Sequence, residues 1–146
     1  MKMIATLSGV ALLALSCTAH ARDDHKMLPI KNALEAPAAQ EKLDKSIKLF
    51  FAGQPHATVE KKLGEWPSSK KTNAFGKSVE AACNWAFLSA MLSLQERAHK
   101  EGGNAVIDIK STYKSIETAS ATEYMCGDGT FASGVAFKGT VVKLAE

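Results

Sequence analysis

The side chains able to do chemistry in this 146-residue chain are three cysteines, four histidines and fifteen carboxylates, and their spacing decides what they could do together. His25, His56 and His99 each lack a second histidine or cysteine three or four residues away, the helical interval a local metal site uses. The acids Glu80, Asp108, Glu117, Glu123 and Asp128 are scattered, and Asp128 sits in Cys126-Gly127-Asp128-Gly129, which reads as a turn. No serine or cysteine stands in a G-x-S-x-G nucleophile turn. Gly102-Gly103-Asn104 resembles a phosphate loop in composition, but such loops open a helix, whereas this one closes a helix at the negative end of its dipole. A non-enzymatic protein is expected, with no catalytic residue, metal ligand or cofactor. One alternative is a metal or small-ligand site assembled from distant segments through His56, His99 or the acids. A second is an uncharacterised hydrolase.

The cysteines say more once the compartment is considered. Lys2 precedes an uncharged apolar run, Ile4 to Leu15, too short to span a bilayer. Ala19-His20-Ala21 then gives an A-x-A exit before Arg22, so residues 1–21 read as a secretory signal peptide cleaved after Ala21. Ala14-Leu15-Ser16-Cys17 loosely matches a lipobox, but Ala14 stands where leucine is usual, so lipidation at Cys17 is the less favoured alternative. Cleavage leaves two cysteines, Cys83 and Cys126. In an oxidising periplasm an even pair is most simply a disulfide, worth about 4 kcal/mol in the chain-entropy model for a loop of this size. A free Cys83 near a helix N-terminus would be reactive, but no C-x-x-C accompanies it. The formal charge of +3 includes Lys2, and so small a balance argues for neither nucleic acid nor a membrane surface. No second apolar run is long enough to cross a membrane.

These residues must be positioned by a small number of elements. Residues 22–44 mix charges, prolines and alanines without a period and read as a partly disordered N-terminal extension. A single domain follows over 45–146. Ser46–Ala52 is a strand candidate with Ile47, Leu49 and Phe51 on one face, and Gly53-Gln54-Pro55 is a turn. Residues 57–66 suggest a weaker strand, followed by a polar loop over 67–73. Lys61-Lys62 and Lys70-Lys71 read as solvated edge and loop positions. Ser78 is a good N-cap for a long helix, and Val79, Ala82, Cys83, Ala86, Phe87, Ala90, Leu94 and Ala98 form its apolar stripe. Trp85, Leu88 and Leu92 widen that stripe, which suits deep packing or a subunit neighbour. Gly102 and Gly103 end the helix in a left-handed turn, and a strand with Ala105, Ile107 and Ile109 facing the helix returns against it. The last strand begins near Phe131, with Gly134 or Gly139 marking a bulge. An α+β fold is expected: a mainly antiparallel sheet of about four to five strands with one long helix on one face.

Two stretches carry a resemblance. The helix end Ala98-His99-Lys100-Glu101-Gly102-Gly103-Asn104-Ala105-Val106-Ile107 and the final Gly139-Thr140-Val141-Val142-Lys143-Leu144 resemble the motifs of the YbjQ-like proteins. They also resemble the soluble domain of RcsF, an outer-membrane lipoprotein that senses envelope stress. The resemblance covers roughly residues 57–144 and rests on packing and turn residues, so it implies fold above activity. It also implies the Cys83–Cys126 pairing. Residues 71–78 and 121–127 make the chain more similar still to short secreted proteobacterial proteins often mislabelled "excinuclease ATPase subunit"; the sequence has no phosphate-binding loop to support that label.

The expected function is a binding or accessory role in the cell envelope, stress-related by that resemblance and acting through contacts with an envelope protein. Trp66, Lys70, Lys71, Asn73 and Trp85 are the expected partner surface, because aromatics beside polar loops often anchor contacts. Homo-oligomerisation is compatible with the apolar excess on the helix.

Overall fold

Backbone hydrogen bonding and the apolar pattern organise residues 22–146, the part described by this computed structural model, around one long helix. In chain order the elements are β1 (Asp23–Pro29), α1 (Ile30–Glu35), α2 (Pro37–Lys42), β2 (Lys48–Phe51), β3 (Val59–Asn73) and α3 (Val79–Glu101). There follow β4 (Ala105–Ser111), a 3-10 turn (Tyr113–Ser115), β5 (Glu123–Gly129) and β6 (Ala132–Leu144). The expected signal peptide and Cys17 lie outside the described residues. None of the described helices is long and apolar enough to cross a membrane.

The caps of α3 form as their residue types dictate. Ser78 Oγ accepts the Ala81 amide at 3.1 Å, and Glu80 lies in the first turn. At the other end Gly102 takes the left-handed conformation with φ 78°, and Gly103 N–H reaches the Ala98 carbonyl at 2.8 Å. Gly103 is required for closeness as well: a Cβ there would lie 2.7 Å from Val141 Cγ1 and 2.8 Å from the Val142 carbonyl oxygen. The chain is thereby pressed directly onto β6.

The sheet is mixed and has six strands, more than the four to five expected. β6 lies at its centre. It pairs with β3 along its whole length on one side, and with β5 and then β4 on the other. β1 adds antiparallel to β5, whereas β2 adds parallel to β4. The segment 22–44, expected as an extension, is instead built in as β1, α1 and α2, with Ile30, Ala33 and Ala39 buried. The polar loop expected over 67–73 is also corrected: it continues β3 as a free sheet edge. Pro67 is tolerated at such an edge, and the Ser68 hydroxyl donates to the Ala90 carbonyl at 3.0 Å.

β4 departs from strict alternation. Asp108 has φ 52°, and the ladder slips so that Asp108 and Ile109 together face Gly139. Val106 and Ile109 therefore enter the core beneath α3, while Ala105 and Ile107 turn to the other face with Val142 and Leu144. The bulge belongs to β4 rather than to either glycine of β6; Gly139 is the floor on which Val106 sits. Cys126–Gly129, expected as a turn, ends β5, and Thr130-Phe131 make the connection. Between helix and sheet, Phe51, Phe87, Tyr124 and Phe137 pack as an aromatic cluster beside the buried Cys83–Cys126 disulfide.

Candidate functional site

The expected partner residues fall at separate places. Trp66, on β3, is covered by the Arg97 guanidinium, 4.1 Å from its ring centre, and packs against the core. Its indole Nε1 is buried and has no hydrogen-bond partner among the described residues, close to where a side chain at Gly64 would project. Lys70 and Lys71 are exposed along the free edge of β3. Asn73 orders the next turn, its Oδ1 accepting the Phe75 amide at 2.8 Å. Trp85 lies elsewhere on α3 and keeps 43% of its surface exposed. The cavity bordered by Trp66 and the one bordered by Trp85 share no residue.

The groove at Trp85 is built by the N-terminal helices. Pro37 opens α2 at its first turn, where a missing N–H costs nothing, and the alanines on either side let the two short helices lie close to α3. Gln95 of α3 then holds the far end of α2: it accepts the Asp44 amide at 2.9 Å and donates to the Asp44 and Ile47 carbonyls at 2.8 and 2.9 Å. What remains is an open groove of about 320 Å³, walled by Ala36, Pro37 and Ala38 opposite Ala81, Trp85 and Leu88. Its one polar wall residue, Asn84, accepts the Tyr124 hydroxyl at 2.7 Å. Burial, aided by Glu80, pushes the Tyr124 phenol far above its ordinary pKa, so it remains a donor. A larger depression of about 480 Å³ lies on the other side of α2; Gln95 there is held by the Asp44 backbone and the Asp44 carboxylate by Ser46 and His99, while Lys45 and Lys48 also line it.

No family model matches the chain, and no curated protein does either. Its chemistry must be read from its own side chains.

Among the described residues, Lys110 and Lys138 flank Glu117 in an exposed ion-pair set, and two further titratable clusters include a histidine. At the end of α3, Asp44 accepts from the Ser46 hydroxyl at 2.6 Å and pairs with His99 Nε2. The Ser46 hydroxyl, the His99 contact and the Ser46 amide hold the Asp44 carboxyl down at about 2. The carboxylate stands between hydroxyl and imidazole, each on its own oxygen, so His99 meets Asp44 and not the Ser46 hydroxyl, and the set is a latch. On the sheet face away from α3, the Tyr113 ring lies across the paired Gly127 and Gly134, where a Cβ at Gly127 would overlap it. The Tyr113 hydroxyl donates to Asp23 at 2.9 Å, His25 meets the ring edge-on, and burial followed by Asp23 raises the phenol to about 12. Gly127 thus accommodates a ring, which its reading as a turn glycine missed.

The third histidine, His56, places Nδ1 2.8 Å from the carbonyl of its neighbour Ala57. Among the described residues no three His, Cys, Asp or Glu side chains converge as a metal ion requires. Both disulfide sulfurs are fully buried and out of reach of a substrate. The sequence reading selected Trp85 but missed the alanine wall opposite it. The signal was present in Ala33-Leu34-Glu35-Ala36-Pro37-Ala38-Ala39, where small residues permit close helix approach, yet the run is too short to show a period.

Proposed function

We propose that the protein is an exported, non-enzymatic binding or accessory domain of the cell envelope, and that its Trp85 groove receives an apolar segment of a partner protein. The observation that carries this reading is the half-exposed Trp85 facing a wall of alanine and proline with no titratable side chain in its lining. A charged metabolite would find no counter-charge there. Aliphatic side chains of a partner would find a large aromatic anchor and close methyl contacts. The buried disulfide suits an oxidising compartment, and the resemblance to envelope-stress proteins agrees with it.

The test places a photo-reactive phenylalanine analogue at position 85 in cells, with position 60 on the exposed β3 edge as control. A discrete protein adduct is expected from 85 and not from 60. Ala38→Glu, which sets a charge at the rim of the groove while keeping a helix former in α2, should reduce the adduct at least tenfold with the melting temperature unchanged. No adduct at 85, or the same adducts at both positions, would refute the reading.

A further inference from the structure

The most exposed large apolar side chains are not part of the Trp85 groove. Phe75 and Phe131 are 75% and 74% exposed, more than any other large apolar residue described. They occupy adjoining turns at one end of the sheet, one after β3 and one before β6, joined by the Ala74 amide donating to the Phe131 carbonyl at 2.9 Å. The first turn is ordered before anything binds: Asn73 Oδ1 holds the Phe75 amide, and Lys77 N–H bonds the Ala74 carbonyl at 3.2 Å. Beneath it, Asn73 and Ala132 are paired at the end of the longest ladder in the sheet. Two phenyl rings are therefore carried outward on a rigid end, at little ordering cost on binding.

Around the rings, lysines without an ion pair outnumber acids without one. Lys70, Lys71 and Lys77 are exposed, and none forms an ion pair among the described residues. The aspartates at this end are already engaged: Asp24 and Asp128 by Arg22, and Asp23 by Tyr113 and Lys114. Glu80, at the start of α3, is the one acid here without an ion pair among the described residues, and it lies toward α1, where Asn32 Nδ2 is 3.4 Å away. Protruding apolar tips beside free lysines suit a soft anionic interface better than the shaped concavity a protein partner would need. We infer that the Phe75–Phe131 end docks on an anionic phospholipid surface. The two rings enter the interface, and Lys70, Lys71 and Lys77 lie over the headgroups. This docking is independent of the Trp85 groove, and both could operate at once.

Sedimentation with large vesicles of phosphatidylcholine, alone or with phosphatidylglycerol, tests it on the chain from Arg22 onward. Binding should require phosphatidylglycerol and weaken with salt, with each lysine contributing about fivefold. Phe75→Ser with Phe131→Ser should weaken binding at least tenfold. Circular dichroism should not change, because both side chains are outside the core. Lys70→Gln, Lys71→Gln and Lys77→Gln together should abolish the preference for anionic vesicles. Absence of binding by the unaltered protein, equal binding to phosphatidylcholine alone, or binding indifferent to the phenylalanine substitutions would overturn the inference. So would a photo-cross-linker at position 75 that captures a protein while vesicles stay unbound, which would give the tips to a protein partner.

Discussion

At the scale of single residues, the most informative contacts are polar groups that tie irregular backbone to α3. Asp44 is the clearest case, since its carboxylate serves Ser46 and His99 together. Its folded pKa of about 2 lies below the usual 3.8, so its contribution to stability is present above about pH 4 and is lost as pH falls through about 2. Comparing the acid unfolding of the protein with that of Asp44→Asn should show a difference that is present at pH 4 and shrinks toward zero as pH falls through about 2. A difference that persists undiminished at pH 2 would contradict the latch. The sequence made the cap residues Ser78, Gly102 and Gly103 legible because each acts within one turn of itself. Asp44–His99 and Tyr113–Gly127 were illegible for the opposite reason: their partners are distant in the chain, and only the folded sheet brings them together. Asp108 hides its bulge as well, since a lone aspartate at positive φ resembles any exposed strand residue.

At the scale of elements, apolar periodicity found what the core buries and missed what backbone pairing alone holds. α3 buries a full face and was legible over its length. β1 buries no side chain fully, so nothing in Asp-Asp-His-Lys-Met-Leu-Pro alternates, yet it pairs with β5 from end to end. The same blindness split β3, whose second half is a polar edge. β1 is fastened at its start by Arg22, whose guanidinium reaches the buried Asp128 carboxylate at 2.8 Å. Because Arg22 is half-exposed and Asp128 is not, the pair lies between the surface and buried cases. Arg22→Ala should cost about 1–2 kcal/mol by leaving a buried carboxylate unpaired. Hydrogen exchange should show the β1 amides losing protection while the α3 amides keep theirs. Uniform protection across both would mean that β1 does not depend on this fastening.

At the scale of the whole molecule, one cross-link joins the two layers: Cys83 near the start of α3 and Cys126 in β5. That pairing was legible from cysteine count and compartment, and α+β class from the order of elements. The groove and the phenylalanine tips were not, because surface shape depends on how α1 and α2 dock and where β3 and β6 end. Binding in the envelope requires, before any partner is considered, that the chain be exported and oxidised. Mass spectrometry of the intact protein recovered from living cells, with free thiols trapped at lysis, measures both at once. The expected species begins at Arg22 and carries Cys83 linked to Cys126. A species retaining residues 1–21 with both thiols free would contradict the assignment of this domain to the envelope.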